Sequence, residues 1–321
     1  MSQSSRSPRN KTLSLTKEEE QVFFAQCLDL SASKNDTSLS LSEVTDKTIC
    51  ADTFYALKHL PRSFAQLAVI DPPYNLNKTY SGKKFSRMNN DRYASYTEQY
   101  LSLVLPCLTE NASLYICCDW KSSIVIADVL MQMEHDKKLF VKNRITWQRE
   151  KGRGASANWK NGMEDIWFCT KTDSYTFNLD AVKVRRRVIA PYKEDGKPKD
   201  WTESSEGNFR DTCPSNFWDD ISIPFWSMAE NTAHPTQKPE KLIAKLILAS
   251  SNPGDIVLDP FAGSGTSQVT AYKLGRHFTG IEQSRQYCAW AQQRLFRAQS
   301  DKNIQGYRDG IFWERNTSVN R

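Results

Sequence analysis

One short stretch of the chain combines a carboxylate, two prolines and an aromatic ring, at Asp71, Pro72, Pro73 and Tyr74. The prolines fix their φ angles and have no N–H, so a strand cannot continue through them. A carboxylate and a proline carbonyl are two acceptors, which suit the exocyclic amine of a nucleobase, and a tyrosine ring can stack on such a base. The same residues also fit a plain strand end followed by a turn. This stretch alone leaves both interpretations open.

A second group of candidate ligand residues follows an apolar stretch far downstream. Its members are Asp259, Pro260, Phe261, Gly263, Ser264, Gly265 and Thr266. Glycines let a backbone approach a ligand closely. An acid about 20 residues beyond a glycine turn is placed to accept from ribose hydroxyls, and Glu282 stands at that spacing after Gly263. The pattern predicts a site for an adenosine-containing cofactor.

The glycine pattern also separates this cofactor from other adenosine compounds. Gln268 stands where the dinucleotide fingerprint has its third glycine, and no lysine follows Gly265 as it does in a P-loop. Both differences disfavour NAD and nucleoside triphosphates. S-adenosyl-L-methionine, which carries adenosine without a pyrophosphate, fits the residues.

Each group needs a buried strand to position it. Residues 67–70 and 256–258 are apolar runs without a polar face, typical of strands covered on both sides in a parallel sheet. Open α/β sheets bind ligands at the carboxyl ends of their strands, where Asp71, Asp259 and Glu282 are predicted to lie. Amphipathic stretches between the runs predict helices. We therefore expect a doubly wound α/β fold.

With both motifs in view, the sequence resembles the DNA amino-methyltransferases. The strand ending in Asp-Pro-Pro-Tyr and the strand ending in Asp-Pro-Phe-Ala-Gly-Ser-Gly-Thr match that family's catalytic and cofactor motifs, and residues 234–239 lead into the second motif. The catalytic motif comes first, as in the beta arrangement of the family. The resemblance covers residues 46–298. It implies a mostly parallel, seven-stranded methyltransferase sheet with an inserted target-recognition region, S-adenosyl-L-methionine as cofactor and double-stranded DNA as partner.

The resemblance also implies roles for individual residues. Asp71 belongs to the catalytic elbow that receives a base flipped out of the duplex. Thr236 and Lys238 are expected to approach the methionine end of the cofactor, and Asp52 to accept from its adenine amino group. A helix N-cap explains Asp52 nearly as well, so its role stays open.

Basic side chains in three places are candidates for contact with DNA phosphates. They are Lys83, Lys84 and Arg87 in a polar loop predicted for residues 78–92, Lys151 and Arg153 in a glycine-rich loop between two predicted antiparallel strands, and Arg185, Arg186 and Arg187 at the start of an aromatic-rich stretch. Basic residues interleaved with aromatics are typical of nucleic-acid surfaces. Solvated surface, or an insertion whose aromatics form a small core of their own, explains the same residues.

Composition and motif positions divide the chain into five segments. Residues 1–45 are predicted to be an N-terminal extension with one short helix, disordered over its first 15 residues. Residues 46–181 and 233–300 are the catalytic and the cofactor-binding halves of the methyltransferase domain. Residues 182–232 are the predicted target-recognition region, and residues 301–321 a tail.

The composition narrows the class of protein. A net charge of +6 is compatible with a polyanionic partner. No apolar run approaches the roughly 18 residues that a membrane span needs, and no signal core is present, so a cytoplasmic location without membrane contact is expected. The cysteines form no Cys-x-x-Cys pair and the histidines no helical pair, so no metal site is predicted.

These observations combine into one prediction, a site-specific DNA methyltransferase that modifies the N6 amino group of adenine. It is expected to act as a monomer or homodimer, in a restriction-modification system with a cognate endonuclease for the same site. In the family, Asp at the first elbow position is commoner in adenine N6 enzymes and Ser in cytosine N4 enzymes. Cytosine N4 methylation and a non-catalytic DNA-binding module on the same fold are the alternatives. Glutamine methylation of a release factor is a weaker one, because its elbow carries Asn in place of Asp71.

Overall fold

The computed structural model describes residues 7–32, 37–80, 82–149, 156–189, 193–195, 197–205 and 207–314. Nine strands of these residues form one open sheet. In spatial order they are β1 (Leu28–Asp29), β2 (Lys47–Cys50), β16 (His277–Glu282), β15 (Ile256–Asp259), β3 (Ala65–Ile70), β6 (Leu108–Cys118), β8 (Met163–Thr170), β7 (Phe140–Gln148) and β14 (Phe217–Trp218). The first six run parallel, and β8 is antiparallel to both β6 and β7.

The predicted doubly wound methyltransferase sheet is confirmed, with an added two-residue strand at each edge. Strand β1 comes from the N-terminal extension and pairs in parallel with β2. Strand β14 comes from the predicted recognition region and pairs in parallel with β7. Both segments are thereby joined to the main sheet.

Helices cover the two faces of this sheet. They are α1 (Lys17–Phe24), α2 (Leu41–Val44), α3 (Thr53–His59), α4 (Asn90–Val104), α5 (Trp120–His135), α6 (Glu240–Ser250), α7 (Thr266–Lys273) and α8 (Arg285–Ala298), with short 3₁₀ turns at Leu105–Cys107 and Leu179–Val182. Side-chain caps define several of the starts. Thr16 forms the predicted capping box with Glu19, and Ser284 accepts from the Tyr287 N–H at the start of α8.

The side chains of β3 show how the two faces are filled. Ala68 and Ile70 point into a core that they share with α3, α4 and α5. Leu67 and Val69 point to the other face, into a core that they share with α6, α7 and α8. Because alternate residues of a strand point to opposite faces, an unbroken apolar run is what a sheet covered on both sides requires.

Two local predictions were wrong. The loop predicted for residues 78–92 contains the hairpin β4 (Lys78–Tyr80) and β5 (Lys83–Phe85), and α4 already begins at Asn90 because the Asn89 side chain accepts from the Arg92 N–H. Disorder was predicted for residues 1–15, of which residues 1–6 lie outside the described residues. Of that stretch, Leu13 is buried and its N–H donates to the carbonyl of Asn231 over 2.8 Å, so tertiary contacts order it.

A second sheet joins the predicted recognition region to the predicted tail. Its strands, in spatial order, are β12 (Thr202–Ser204), β13 (Gly207–Thr212), β9 (Val184–Arg187), β18 (Ile311–Trp313) and β17 (Tyr307–Arg308), and a small hairpin of β10 (Lys193–Glu194) and β11 (Lys197–Pro198) accompanies them. Val184 and Phe312 of this sheet pack with Leu248 of α6. The predicted recognition region is thus packed against α6, one of the helices that cover the main sheet.

The described part of the chain lacks two kinds of feature. It has no helix that is long and apolar enough to cross a bilayer. It also has no group of three or more His, Cys, Asp or Glu side chains arranged to hold a metal ion.

Candidate functional site

A cavity of about 250 Å³ lies at the carboxyl edge of the main sheet and contains both sequence motifs. The predicted site residues that line it are Asp52, Asp71, Pro72, Pro73, Tyr74, Thr236, Lys238, Asp259, Phe261, Gly263, Ser264, Thr266 and Glu282. The parallel register of β3, β15 and β16 brings their carboxyl ends to this one edge. The fold therefore places the catalytic elbow and the predicted cofactor residues around a common space.

At one end of the cavity, Asp71 is held by a buried ammonium and a buried phenol. Lys238 Nζ lies 2.8 Å from Asp71 Oδ1 and 2.8 Å from Asp71 Oδ2. The Tyr74 hydroxyl lies 3.0 Å from Asp71 Oδ1 and 2.9 Å from Lys238 Nζ. The hydroxyl of Tyr93 donates to the carbonyl of Pro73 and fixes the elbow from below. These contacts leave the Asp71 carboxylate few alternative orientations.

A second carboxylate, Glu164 at the start of β8, completes this group. Its Oε2 lies 3.0 Å from the Tyr74 hydroxyl and 3.3 Å from Lys238 Nζ, and its Oε1 accepts from Arg149. Burial alone lowers the pKa of Lys238, but the carboxylates of Asp71 and Glu164 more than reverse this and raise it above its usual value. Lys238 is therefore a cation throughout the physiological pH range. Burial, and then the same two carboxylates, raise the pKa of Tyr74, which stays protonated.

The contacts of Lys238 add a role that the sequence did not predict. The resemblance implied that it approaches the methionine end of the cofactor. Its ammonium has three hydrogens, and oxygens of Asp71, Tyr74 and Glu164 already surround it. We therefore assign Lys238 to the catalytic elbow, although it also borders the common cavity.

Two further acids, Asp259 and Glu282, line the cavity. Glu282 Oε2 accepts from the Gly263 N–H over 3.0 Å and its Oε1 from the Ser284 N–H over 2.8 Å. Asp259 Oδ1 accepts from the Phe261 N–H over 3.0 Å. Burial raises the pKa of both acids to about 7. The backbone bonds hold the Glu282 carboxylate beside the glycine turn, and its remaining lone pairs are able to accept from ribose hydroxyls.

The two motif glycines have different structural reasons. Both have positive φ angles, +53° at Gly263 and +77° at Gly265. A Cβ on Gly263 would lie 3.0 Å from the His234 ring at the cavity wall, whereas a Cβ on Gly265 would lie 2.5 Å from the Ala291 Cβ of α8. Gly263 therefore keeps the cavity wall open, and Gly265 allows α7 and α8 to pack closely.

The remaining predicted cofactor residues occupy supporting or wall positions. The Pro260 carbonyl accepts from the Thr53 hydroxyl over 2.7 Å, and Pro260 does not border the cavity. Arg294 donates to the Ser264 carbonyl and to the Thr266 hydroxyl. These contacts brace the turn from the side of α8.

Asp52 satisfies both interpretations that the sequence left open. Its side chain accepts from the Tyr55 N–H over 3.1 Å and caps α3, and the residue also borders the cavity. A carboxylate has two oxygens, so a cap bond does not exclude a second partner. Thr236 borders the cavity from the loop that carries Lys238.

The comparisons with known proteins agree with this site. The DNA methylase family described as N6_N4_Mtase matches residues 65–293 of the chain. The chain belongs to this family. It is a DNA methyltransferase, and the methyl donor of the family is S-adenosyl-L-methionine. The cavity fits that cofactor, because it offers carboxylates for hydroxyls and amines beside a glycine turn whose Cβ positions must stay empty.

Individual relatives cover most of the methylase. The type II methyltransferase M.HpaI of Haemophilus parainfluenzae is 34% identical over 250 residues, which are 78% of this chain and 74% of the relative. The DNA adenine methyltransferase YhdJ of Escherichia coli (strain K12) is 33% identical over 257 residues, 78% of this chain and 82% of the relative.

Solved structures share the fold of the methylase. The cytosine-N4-specific PvuII DNA methyltransferase has a TM-score of 0.57 at 17% identity and covers 80% of this chain and 92% of its own. The M1.HpyAVI complex with S-adenosyl-L-methionine has a TM-score of 0.51 at 24% identity, with coverages of 77% and 98%. At these identities the likeness shows the fold alone.

The candidate DNA-binding side chains near the catalytic elbow lie on the hairpin that follows it and just beyond the end of β5. Lys84 and Arg87 are exposed there. The amide of Asn75, next to the elbow, accepts from the Met88 N–H over 2.7 Å and donates to the Met88 carbonyl over 3.0 Å, which closes the base of the hairpin. The Lys83 side chain is not described, and Lys151 and Arg153 lie outside the described residues.

The three consecutive arginines do not share one surface. Because they lie on strand β9, Arg185 and Arg187 point to one face of the second sheet and Arg186 to the other. Arg185 donates twice to Asp211, over 2.8 and 2.7 Å, and Arg186 lies 3.6 Å from Glu314. Within the described residues Arg187 has no ion pair of this kind and is exposed. Among the three arginines, Arg187 is therefore the one least engaged with acidic groups of the described residues.

Sequence reasoning missed Glu164 and His234. The strand that carries Glu164 was predicted to begin at residue 165. Because this strand runs antiparallel to β6, its first residues lie at the same edge of the sheet as the carboxyl end of β6, near Cys118. The antiparallel pairing was therefore the signal that could have placed Glu164 near the site. His234 stood in the recognised hexapeptide, but only the fold shows its ring against Gly263.

Proposed function

We propose that the methylase transfers the methyl group of S-adenosyl-L-methionine to the N6 amino group of adenine in double-stranded DNA. The observation that carries the proposal is the Asp71 carboxylate, which a buried cation and a phenol hold at the wall of the cavity that also contains the predicted cofactor residues. The name of the relative YhdJ, a DNA adenine methyltransferase, supports adenine as the target.

The chemistry follows from the weak nucleophilicity of the target amine. Its lone pair is delocalised into the ring, so acceptors for both N–H bonds favour the geometry in which nitrogen attacks. Asp71 supplies one acceptor, and the carbonyl of Pro72, at the same wall, supplies the other. The negative charge of Asp71 also stabilises the positive charge that develops on nitrogen. The bound cofactor supplies an electrophilic methyl group, and the protein aligns it with the amine.

The DNA must deliver its base to this buried elbow, so the target adenine is flipped out of the duplex. The exposed cations Lys84, Arg87 and Arg187 are the described candidates for contact with the backbone phosphates. Residues 182–232 then carry the target-recognition region. Since the substrate is DNA, we assign the protein to the cytoplasm and, from the type II name of M.HpaI, to a restriction-modification system with a cognate endonuclease.

The test is to incubate purified protein, duplex DNA of mixed sequence and S-adenosyl-L-methionine, and to digest the DNA to nucleosides for mass spectrometry. N6-methyladenine is expected with the wild-type protein and none with Asp71→Ala. N4-methylcytosine without N6-methyladenine would reject adenine as the target. No methylated base at all, with cofactor bound, would favour a non-catalytic DNA-binding module.

A further inference from the structure

The buried carboxylate of Glu164 is not explained by the fold alone. It is 3% exposed, at the start of a strand whose other buried side chains are mostly apolar. A buried charge is costly unless it is paired and hydrogen-bonded. Glu164 meets this condition through Arg149 on one oxygen and through Tyr74 and Lys238 on the other. Its partners on that second oxygen are the two groups that hold Asp71.

We propose that Glu164 is a positioning residue, which fixes the Lys238 ammonium and the Tyr74 hydroxyl so that Asp71 presents its carboxylate to the target amine in one orientation. Glu164 does not border the cavity and so acts through these two side chains. The inference rests on the proposed function, since it takes Asp71 as the acceptor for the amine.

The charges around Lys238 show how Glu164 acts on it. Lys238 is 6% exposed and faces two carboxylates, with Asp71 on one side and Glu164 on the other. One ammonium between two carboxylates cannot turn toward either without losing the other. If Glu164 lost its charge, Lys238 would be drawn to Asp71 alone, and the proton would be held less tightly, because burial then opposes the charge with one carboxylate fewer.

The first experiment measures this change without any methyl transfer. Wild-type protein and Glu164→Gln are trace-labelled with acetic anhydride between pH 7 and 10, and the acetylation of each lysine is read by mass spectrometry relative to the exposed Lys84. Only the uncharged amine reacts. We expect the relative reactivity of Lys238 to rise on the order of tenfold in Glu164→Gln, which corresponds to a fall of about one unit in its pKa.

The second experiment measures kcat of methylation against pH at saturating DNA and cofactor. We expect kcat of Glu164→Gln to fall roughly 10- to 100-fold, as displaced catalytic groups do, with little change in the dissociation constant of the cofactor. Glu164→Asp restores the charge on a shorter side chain, so it should recover part of kcat and give Lys238 a reactivity between those of wild type and Glu164→Gln.

A matched control removes a buried carboxylate elsewhere. Asp220 is 8% exposed and pairs with Lys241 over 2.8 Å and with Lys245 over 3.2 Å. Asp220→Asn should raise the reactivity of Lys245 and leave that of Lys238 unchanged. This separates a local effect at the elbow from a general loosening of the protein.

The outcomes are distinct. Unchanged reactivity of Lys238 in Glu164→Gln would overturn the proposal, even if kcat fell, because a merely structural role would do the same. If Glu164→Gln did not fold, the labelling of Glu164→Asp would decide. The shorter side chain of Asp places the carboxylate farther from Lys238, so the reactivity of Lys238 must still be higher than in the wild type. If the wild-type protein methylated no DNA, the proposed function would fail, and the labelling would still decide whether Glu164 holds Lys238.

Discussion

Glu282 gives the sharpest test of the cofactor end, because its charge is predicted to change near neutral pH. Burial raises the pKa of this carboxyl from 4.5 to about 7. Only the ionised form offers every lone pair to ribose hydroxyls. If the ionised form is the one that binds, the apparent dissociation constant of the cofactor is the intrinsic one divided by the ionised fraction. At pH 6 about a tenth is ionised, so the affinity should be about tenfold lower than at pH 8.

The stability of the folded protein depends on pH with the opposite sign to cofactor binding. Between pH 4.5 and about 7 the folded protein holds the Glu282 proton more tightly than the unfolded chain does. This residue's contribution to the stability of the ligand-free protein is therefore fully present below pH 4.5 and is lost as the pH rises through about 7. Rising pH should thus weaken the ligand-free protein at this position while it strengthens cofactor binding.

Isothermal titration of S-adenosyl-L-methionine from pH 5.5 to 8.5 measures the binding side of the prediction. Glu282→Gln should bind more weakly at pH 8 and lose the pH dependence. His234 cannot be the titrating group, because burial lowers its pKa to about 3. Asp259 has a raised pKa of about 7 as well, so pH dependence that survives in Glu282→Gln would transfer the role to Asp259. A wild-type affinity that is constant over this range would show that Glu282 does not titrate near pH 7 when the cofactor binds, and an affinity of Glu282→Gln equal to wild type at pH 8 would refute its ribose role.

Three further substitutions have defined expectations. Asp71→Ala should reduce methylation by at least about 10²-fold and leave the cofactor dissociation constant nearly unchanged, and substantial residual activity in the nucleoside assay would contradict its role. Arg187→Ala should reduce the slope of log affinity for DNA against log salt concentration by about 0.9. Arg185→Ala should change this slope less, because Arg185 is already paired. If the slopes of the two variants were equal, neither arginine would be assigned to a DNA phosphate. Gly265→Ala should lower the melting temperature, because its Cβ would lie 2.5 Å from the Ala291 Cβ. If a second substitution, Ala291→Gly, did not recover part of this loss, the strained φ angle at residue 265 alone would be responsible.

The parts of the site that the sequence predicted are those with local signals. An apolar run that ends in an acid and a turn marks a strand end, and this placed Asp71, Asp259 and Glu282 correctly at the carboxyl ends of β3, β15 and β16. Parallel pairing then fixes their proximity, since carboxyl ends of neighbouring parallel strands share one edge. No knowledge of the packing was needed for that step.

The parts that the sequence did not predict depend on contacts between distant segments. Lys238 was assigned to the cofactor because its loop leads into the cofactor motif, and only the fold shows that its side chain also contacts Asp71. Arg185, Arg186 and Arg187 were treated as one cluster because poor periodicity concealed strand β9, which sends neighbours to opposite faces. In both cases the residue type was recognised and the direction of the side chain was not.

The direction of Asp71 also selects the atom that receives the amine. Oδ1 lies 2.8 Å from Lys238 Nζ and 3.0 Å from the Tyr74 hydroxyl, whereas Oδ2 has Lys238 Nζ at 2.8 Å. The Tyr74 hydroxyl has one hydrogen, which either Asp71 Oδ1 or Glu164 Oε2 accepts, since both lie 3.0 Å from it. Oδ2 has fewer donors around it than Oδ1, and we therefore expect Oδ2 to receive the target N–H. Glu164 maintains that asymmetry, because it holds Tyr74 and Lys238 in place from the far side.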